Sequence, residues 1–67
     1  MERVLVEIDY TNWRGERRLR GIYPQFLWWG TTAHHLEYQF FLKATDAEKN
    51  DTRDFAMKDI HSWKQLG

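Results

Sequence analysis

Apolar and polar positions alternate along several short stretches of this chain, and such alternation is typical of half-buried β-strands. Near the N-terminus the apolar positions are two residues apart, at Val4, Val6, Ile8 and Tyr10. The longest alternating stretch runs from Leu36 to Ala44. A helix would spread the consecutive residues Phe40-Phe41-Leu42 around its circumference, so the β interpretation is favoured over the helical one.

Turn-forming residues separate these stretches. Asn12 and Gly15 predict a hairpin turn after the first strand. Pro24 lacks a backbone N–H donor, so we expect it to end the second strand or to lie at an edge. The polar segments 31–35 and 46–51 predict loops. The predicted strands are 3–10, 17–23, 26–29, 36–44 and 53–57, followed by a helical turn within 58–63. Five short strands predict an all-β fold, a small five-stranded barrel that occupies residues 1–67 as a single domain.

The same alternation predicts which aromatic side chains are buried. Phe40 and Leu42 are expected to face the core, which leaves Phe41 exposed. Trp28 and Trp29 are neighbours in a predicted strand, so they point to opposite faces and one of them is expected to be exposed. These exposed aromatics form a candidate partner surface, for a homo-oligomer or for docking onto a regulator protein. A barrel edge could also accept a partner strand.

Composition narrows the possible classes of protein. A chain of 67 residues can build only one small core, and its eleven aromatic residues (four Trp, four Phe, three Tyr) are its main resource for doing so. Cysteine does not occur, which excludes disulfides and thiolate metal sites. Ten basic and ten acidic side chains give a net charge of zero, which argues against a general nucleic-acid coat protein. The chain has neither a long apolar run nor a secretory signal, so we expect a cytoplasmic protein with no membrane partner.

Residue patterns for catalysis or metal binding are weak. His34 and His35 are adjacent and would diverge in a strand, and no cysteine supports them as metal ligands. Ser62 is the only serine and lacks the surroundings of a catalytic nucleophile. The four glycines form no phosphate-binding loop. We therefore expect no enzyme, no metal and no cofactor.

The densest charge feature is a basic stretch that contains one acidic residue, Glu16, and four arginines, Arg14, Arg17, Arg18 and Arg20. In a strand Arg18 and Arg20 share one face, where they could bind a phosphate while a neighbouring aromatic stacks a base. The alternative is a solvated edge strand whose charges prevent aggregation. The acidic loop 46–51 could also fold over the arginines and turn the site into an internal ion-pair network.

The order of these features resembles the WYL domain family. The segment Tyr10-Thr11-Asn12-Trp13-Arg14-Gly15-Glu16, then basic residues leading to Ile22-Tyr23-Pro24, is similar to the opening of that domain. Phe40-Phe41-Leu42 takes the place of the Trp-Tyr-Leu strand from which the family is named, with Phe-Phe for Trp-Tyr. The segment from Arg53 to Ile60 resembles the family's Arg-x-Phe-x-x-x-x-Ile ending. The resemblance extends over about residues 4–63.

The resemblance implies an Sm-like or SH3-like small β-barrel. WYL domains are usually the ligand-sensing part of bacterial transcription regulators, and members are implicated in binding nucleic acid or nucleotide-like ligands. Because no DNA-binding segment precedes the WYL-like region, the expected protein is a stand-alone sensor-like module. The partner implied is a single-stranded nucleic acid or a nucleotide. Carried over by position, the candidate ligand-binding residues are Tyr10, Arg14, Arg18, Arg20 and Arg53.

Overall fold

The computed structural model describes residues 3–67, which form one antiparallel sheet. The strands are β1 (Val6–Thr11), β2 (Arg17–Gly30), β3 (Gln39–Asp46), β4 (Thr52–Ala56) and β5 (Ile60–Gln65). A single-turn 3₁₀ helix, Met57–Asp59, joins β4 to β5. The strand order is β4-β3-β2-β1-β5. The all-β prediction is therefore confirmed, but within residues 3–67 the sheet is open, with β4 and β5 as its edges.

Strand β2 differs most from the sequence prediction. It runs unbroken through Pro24, so the predicted second and third strands are one long strand and the prediction that Pro24 ends a strand is wrong. The pairing of β2 with β3 shifts register between Pro24 and Phe26. Gln25 is the extra residue of this bulge, and the neighbourhood of a bulge is one of the few places where a sheet tolerates proline.

The C-terminal segment also differs from its prediction. A helical turn was expected within 58–63, and the observed 3₁₀ turn ends at Asp59. Residues Ile60–Gln65 instead form β5, which pairs antiparallel with β1. The number of strands is thus five, as predicted. The predicted boundary at Pro24 is absent, however, and β5 was not predicted.

The main hydrophobic core lies on one face of the sheet. Its buried members come from four strands and are Ile8, Tyr10, Ile22, Leu42, Ala44 and Phe55. The rings of Tyr10 and Phe55 meet edge to face with centroids 5.0 Å apart. The Tyr10 hydroxyl accepts a hydrogen bond from the backbone N–H of Ala56 at 3.2 Å, which ties β1 to the end of β4.

A second buried aromatic group contradicts the burial predicted for β3, although Phe40 and Leu42 do share the face of the main core. Phe41 is fully buried, whereas Phe40 is 53% exposed. Phe41 stacks on Trp28 with centroids 4.9 Å apart and meets the His35 ring edge to face at 5.7 Å. Trp28 in turn donates its indole N–H to the Asp54 carboxylate at 2.8 Å. The loop between β2 and β3 thus brings His35 onto the sheet face opposite the main core, and that face is buried here too.

Candidate functional site

Two adjoining clefts open beside the turn that joins β1 to β2. The first has a volume of about 320 Å³ and the second about 310 Å³. They have four lining residues in common: Asn12, Trp13, Arg20 and Arg53. The two clefts are therefore treated as one double cleft.

The double cleft brings together all five candidate residues named from the sequence. Tyr10 lines the first cleft, and Arg14 and Arg18 line the second. Arg20 and Arg53 line both. Residues 10 and 53 are far apart in the sequence, and they meet because β1 lies beside β2 while β4 brings its first residues to the same end of the sheet.

Strand pairing and a side-chain-stabilised turn position the arginines. Tyr10 pairs with Arg18 and Ile8 with Arg20, so both arginines lie on the core face of β2. The Asn12 carboxamide oxygen accepts hydrogen bonds from the backbone N–H groups of Arg14 and Glu16, each at 2.9 Å. This arrangement is typical of Asn in turns, and it holds the tip of the hairpin against the clefts.

Arg20 is the most deeply placed cation of the site. Only 8% of its side chain is exposed, and its Nη1 lies 3.3 Å from the Asp46 carboxylate. Its Nε is buried and has no hydrogen-bond partner among the residues that the structure describes. A buried donor without a partner costs about 1–3 kcal/mol, so this N–H favours an additional acceptor.

Asp46 holds Arg20 in place and is itself held as an anion. Burial raises the pKa of its carboxyl, but the backbone N–H groups of Lys49 and Glu48 and the charge of Arg20 outweigh burial, so the pKa is lower than usual. Those N–H groups donate to Asp46 Oδ1 at 3.0 and 2.9 Å. The cation at the base of the double cleft thus has a permanent buried counterion.

The acidic loop also reaches two other arginines, but from the surface. Arg18 lies 3.9 Å from Glu48, and Arg53 lies 3.2 Å from Asp51. All four side chains are substantially exposed, and such pairs contribute only about 0–1 kcal/mol. The sequence left open whether the acidic loop folds over the arginines and neutralises them. It does so fully only for Arg20, which has a buried partner, whereas Arg18 and Arg53 are paired weakly at the surface.

The second cleft is strongly cationic. Five of its lining side chains are basic and one is acidic: Arg14, Arg18, Arg20, Arg53, Lys49 and the carboxylate Glu16. Arg14 and Lys49 form no ion pair with any residue in the range 3–67. Such a concentration of positive charge attracts anions, and arginine binds phosphate oxygens with two parallel hydrogen bonds.

An aromatic surface adjoins the cationic cleft. Trp13 lines both clefts and is 52% exposed. Its ring stacks in parallel on the His34 imidazole with centroids 4.2 Å apart. The Arg14 guanidinium carbon lies 5.1 Å from the centroid of the Trp13 ring. Trp13 and His34 thus offer flat rings beside the arginines, where a nucleobase could stack.

Lys49 and His34 were not among the site residues predicted from the sequence. Lys49 lies in a loop that reads as an ordinary solvated turn, yet Ile22 pairs with Asp46, and the Ala47 N–H donates to the Gly21 carbonyl at 2.9 Å. This pairing brings the acidic loop beside β2. The position of Lys49 could be predicted only from the register of β2 against β3. That register was not obtained from the sequence, because a strand was assumed to end at Pro24.

Of the three aromatic residues assigned to the predicted partner surface, the structure exposes Trp29 well, Trp28 partly and Phe41 not at all. Trp29 is 58% exposed and Trp28 is half-buried, so the prediction that one of the two is exposed is confirmed. Phe41 is fully buried and cannot belong to a partner surface, so that prediction is wrong. Burial of Phe41 follows from the loop that brings His35 onto its face of the sheet.

Metal-ligand clusters and membrane-spanning helices were looked for in the described part of the chain. Between residues 3 and 67, no group of three or more His, Asp or Glu side chains is arranged to hold a metal ion. No helix in the same range is long and apolar enough to cross a bilayer. Comparison with protein-family models, with curated proteins and with solved structures found no match.

Proposed function

We propose that this chain is a WYL-like module that binds a phosphate-bearing ligand, a single-stranded nucleic acid or a nucleotide, in the double cleft. The observation that carries this proposal is the buried Arg20 guanidinium, which lines both clefts and has an Nε donor without a partner. The proposed fold is the small Sm-like barrel. In support, β5 returns to pair with β1 beside β2, as a barrel formed from a meander requires.

A phosphate suits Arg20 for an energetic reason. The ion pair with Asp46 already holds the Arg20 guanidinium in position before a ligand binds. The Nε donor is buried, so a phosphate oxygen that satisfies it must enter below the cleft surface, where it would form a charge-assisted hydrogen bond roughly twice as strong as a neutral one. Little ordering of the side chain is then needed on binding.

Arg18 and Arg53 can also bind the phosphate at little cost in free energy. The pairs of Arg18 with Glu48 and Arg53 with Asp51 are exposed and weak, so a phosphate can replace the carboxylates. Arg14 and Lys49 add charge at the rim of the second cleft. A base attached to the phosphate would stack on Trp13, with His34 displaced or forming the other side of the stack.

The first test compares an Arg18→Ala/Arg53→Ala double variant with wild type, using tryptophan fluorescence to follow binding. The probes are a short single-stranded oligonucleotide, a mononucleotide and inorganic phosphate, which separate backbone, base and phosphate contributions. Removing two phosphate contacts is expected to weaken oligonucleotide binding by at least about tenfold. Both residues are on the surface, so the fold should persist.

Arg17→Ala is the matched control for this experiment. Arg17 precedes Arg18 and carries the same charge, but it lies on the other face of β2, where it pairs with Asp9 at 2.8 Å. We expect it to change the affinity by less than about twofold, since its charge is paired with Asp9 on the other face and exposed charges are partly screened by salt. Equal affinity of the double variant and wild type would exclude the double cleft as the binding site. Arg20 is unsuitable for this test because its removal would leave Asp46 as an uncompensated buried charge.

The acidic loop should act as a weak internal competitor of the ligand. Neutralising its two exposed carboxylates in a Glu48→Gln/Asp51→Asn variant frees Arg18 and Arg53, and we expect oligonucleotide affinity to rise about two- to fivefold. Glu7→Gln is the control, because Glu7 lies on the opposite face of the sheet from the arginines of the cleft. A variant whose affinity stays at the wild-type value would mean that the loop does not compete for the site.

A further inference from the structure

The tip of the β2–β3 hairpin carries an uncovered apolar surface that the proposed ligand site does not use. Leu27 pairs with Leu42, and Trp29 pairs with Phe40, all on the face that forms the main core. Leu42 is buried, but Leu27, Trp29 and Phe40 are 56%, 58% and 53% exposed. The core face of the sheet therefore continues past the part that the rest of the chain covers.

Two of the exposed side chains are in contact, and the third lies beside them on the same strand face. The Trp29 and Phe40 rings meet edge to face with centroids 4.9 Å apart, and Leu27 is two residues from Trp29 on the same strand face. The loop at this end adds Leu36, which is 81% exposed, and Tyr38, which is 72% exposed. We name Leu27, Trp29 and Phe40 the tip patch. Contiguous apolar surface of this kind marks an interaction site on a folded domain.

We propose that the tip patch is the interface through which two copies of this chain form a symmetric dimer. The charge of the surface supports a second copy as the occupant. No Asp, Glu, Lys or Arg occurs from Gly21 to Leu36 or from Tyr38 to Leu42, in a chain that is 30% charged. Two such surfaces meet without repulsion, whereas a charged partner would find nothing complementary there. A two-fold interface brings the same patch of each copy together.

The area reaches that of a specific dimer when the exposed loop residues Tyr38 and Leu36 are counted together with the tip patch. With about 150–250 Å² for each aromatic side chain, the exposed fractions of Trp29, Phe40 and Tyr38 leave roughly 300–450 Å² uncovered per copy. Two copies would bury about 600–900 Å² from these three residues alone. Leu27 and Leu36 bring the total past the ~1,000 Å² expected of a specific interface.

Analytical ultracentrifugation over a range of protein concentrations tests this proposal. The wild type is expected to sediment at twice its 8.2 kDa mass at high concentration. Trp29→Ser should weaken the dimer at least about tenfold, because a large aromatic side chain at the centre of an interface dominates its affinity. Trp29 is exposed in the single chain, so the variant should stay folded, and circular dichroism checks this.

Phe26→Ser is the matched control. Phe26 lies on the same hairpin and is 52% exposed, but on the opposite face of the sheet from the tip patch. It should leave the dimer intact. A wild type that stays monomeric at the highest concentration overturns the proposal, and so does a dimer that survives Trp29→Ser or is lost equally in Phe26→Ser. Oligonucleotide binding is measured separately on each variant, so failure of the dimer does not bear on the ligand site.

Discussion

Phe41→Ala is expected to lower the free energy of unfolding by about 3–5 kcal/mol, whereas Phe40→Ala, one residue earlier, should change it by less than about 1 kcal/mol. Phe41 is fully buried between Trp28 and His35, so its removal leaves a cavity that those rings cannot readily fill. Phe40 is 53% exposed and touches Trp29 at the surface. Urea denaturation followed by circular dichroism measures both values.

The difference in unfolding free energy between these two variants directly tests which of the two phenylalanines of β3 is buried. A natural domain has only about 5–15 kcal/mol of stability, and a small one lies near the low end, so the loss expected for Phe41→Ala is large enough to prevent folding. Phe41→Leu then serves as the measurable variant, with an expected loss of roughly 1–1.5 kcal/mol. If Phe40→Ala were the more damaging substitution, the burial predicted from the sequence would be right and the observed burial of Phe41 would be contradicted.

Asp46→Ala is expected to cost about 3–5 kcal/mol, because it leaves the Arg20 guanidinium buried without its counterion. It also removes the acceptor of the Glu48 and Lys49 backbone N–H groups, which order the turn after β3. Asp9→Asn is the comparison. Asp9 also pairs with an arginine, Arg17, but that side chain is 58% exposed and stays in water when Asp9 is changed, so the loss should be far smaller. Equal losses in the two variants would contradict a buried role for Asp46.

The same carboxylate should make stability depend on pH. Its pKa is lower in the folded protein than in the unfolded chain, so at low pH the unfolded state binds the proton more readily. Its contribution is therefore fully present above the unfolded value of about 4 and is lost as the pH falls through the lower folded value. Thermal melts from pH 6 down to pH 2 should show a shallower decline for Asp46→Asn than for wild type. Identical declines would exclude Asp46 as a source of acid sensitivity.

The all-β class and the cluster of site residues could be predicted from the sequence because both depend on local pattern. Alternating apolar positions identified β1 and β3, and the residues that resemble the WYL opening lie on one hairpin, β1–β2. Strand pairing then places Tyr10 opposite Arg18 on one face of the sheet. Only Arg53 had to come from a distant strand.

What the sequence could not reveal depends on contacts between distant segments. The bulge after Pro24 converts two predicted strands into one, and this sets the register that pairs Ile22 with Asp46. The burial of Phe41 depends on where the loop carrying His35 lies. Alternation assigns a side chain to a face of the sheet, but it does not tell which face the remaining chain covers. For the same reason the tip patch emerged only from the structure.

The most direct test of the central claim is the salt dependence of oligonucleotide binding by the wild-type protein. Tryptophan fluorescence can follow the titration, since Trp13 lines both clefts and is half exposed. If arginines of the double cleft contact two to four phosphates, the logarithm of the association constant should fall with the logarithm of salt concentration with a slope of about −1.5 to −3. Absence of binding at low salt, or an affinity that does not change with salt, would contradict a phosphate-binding role for this site.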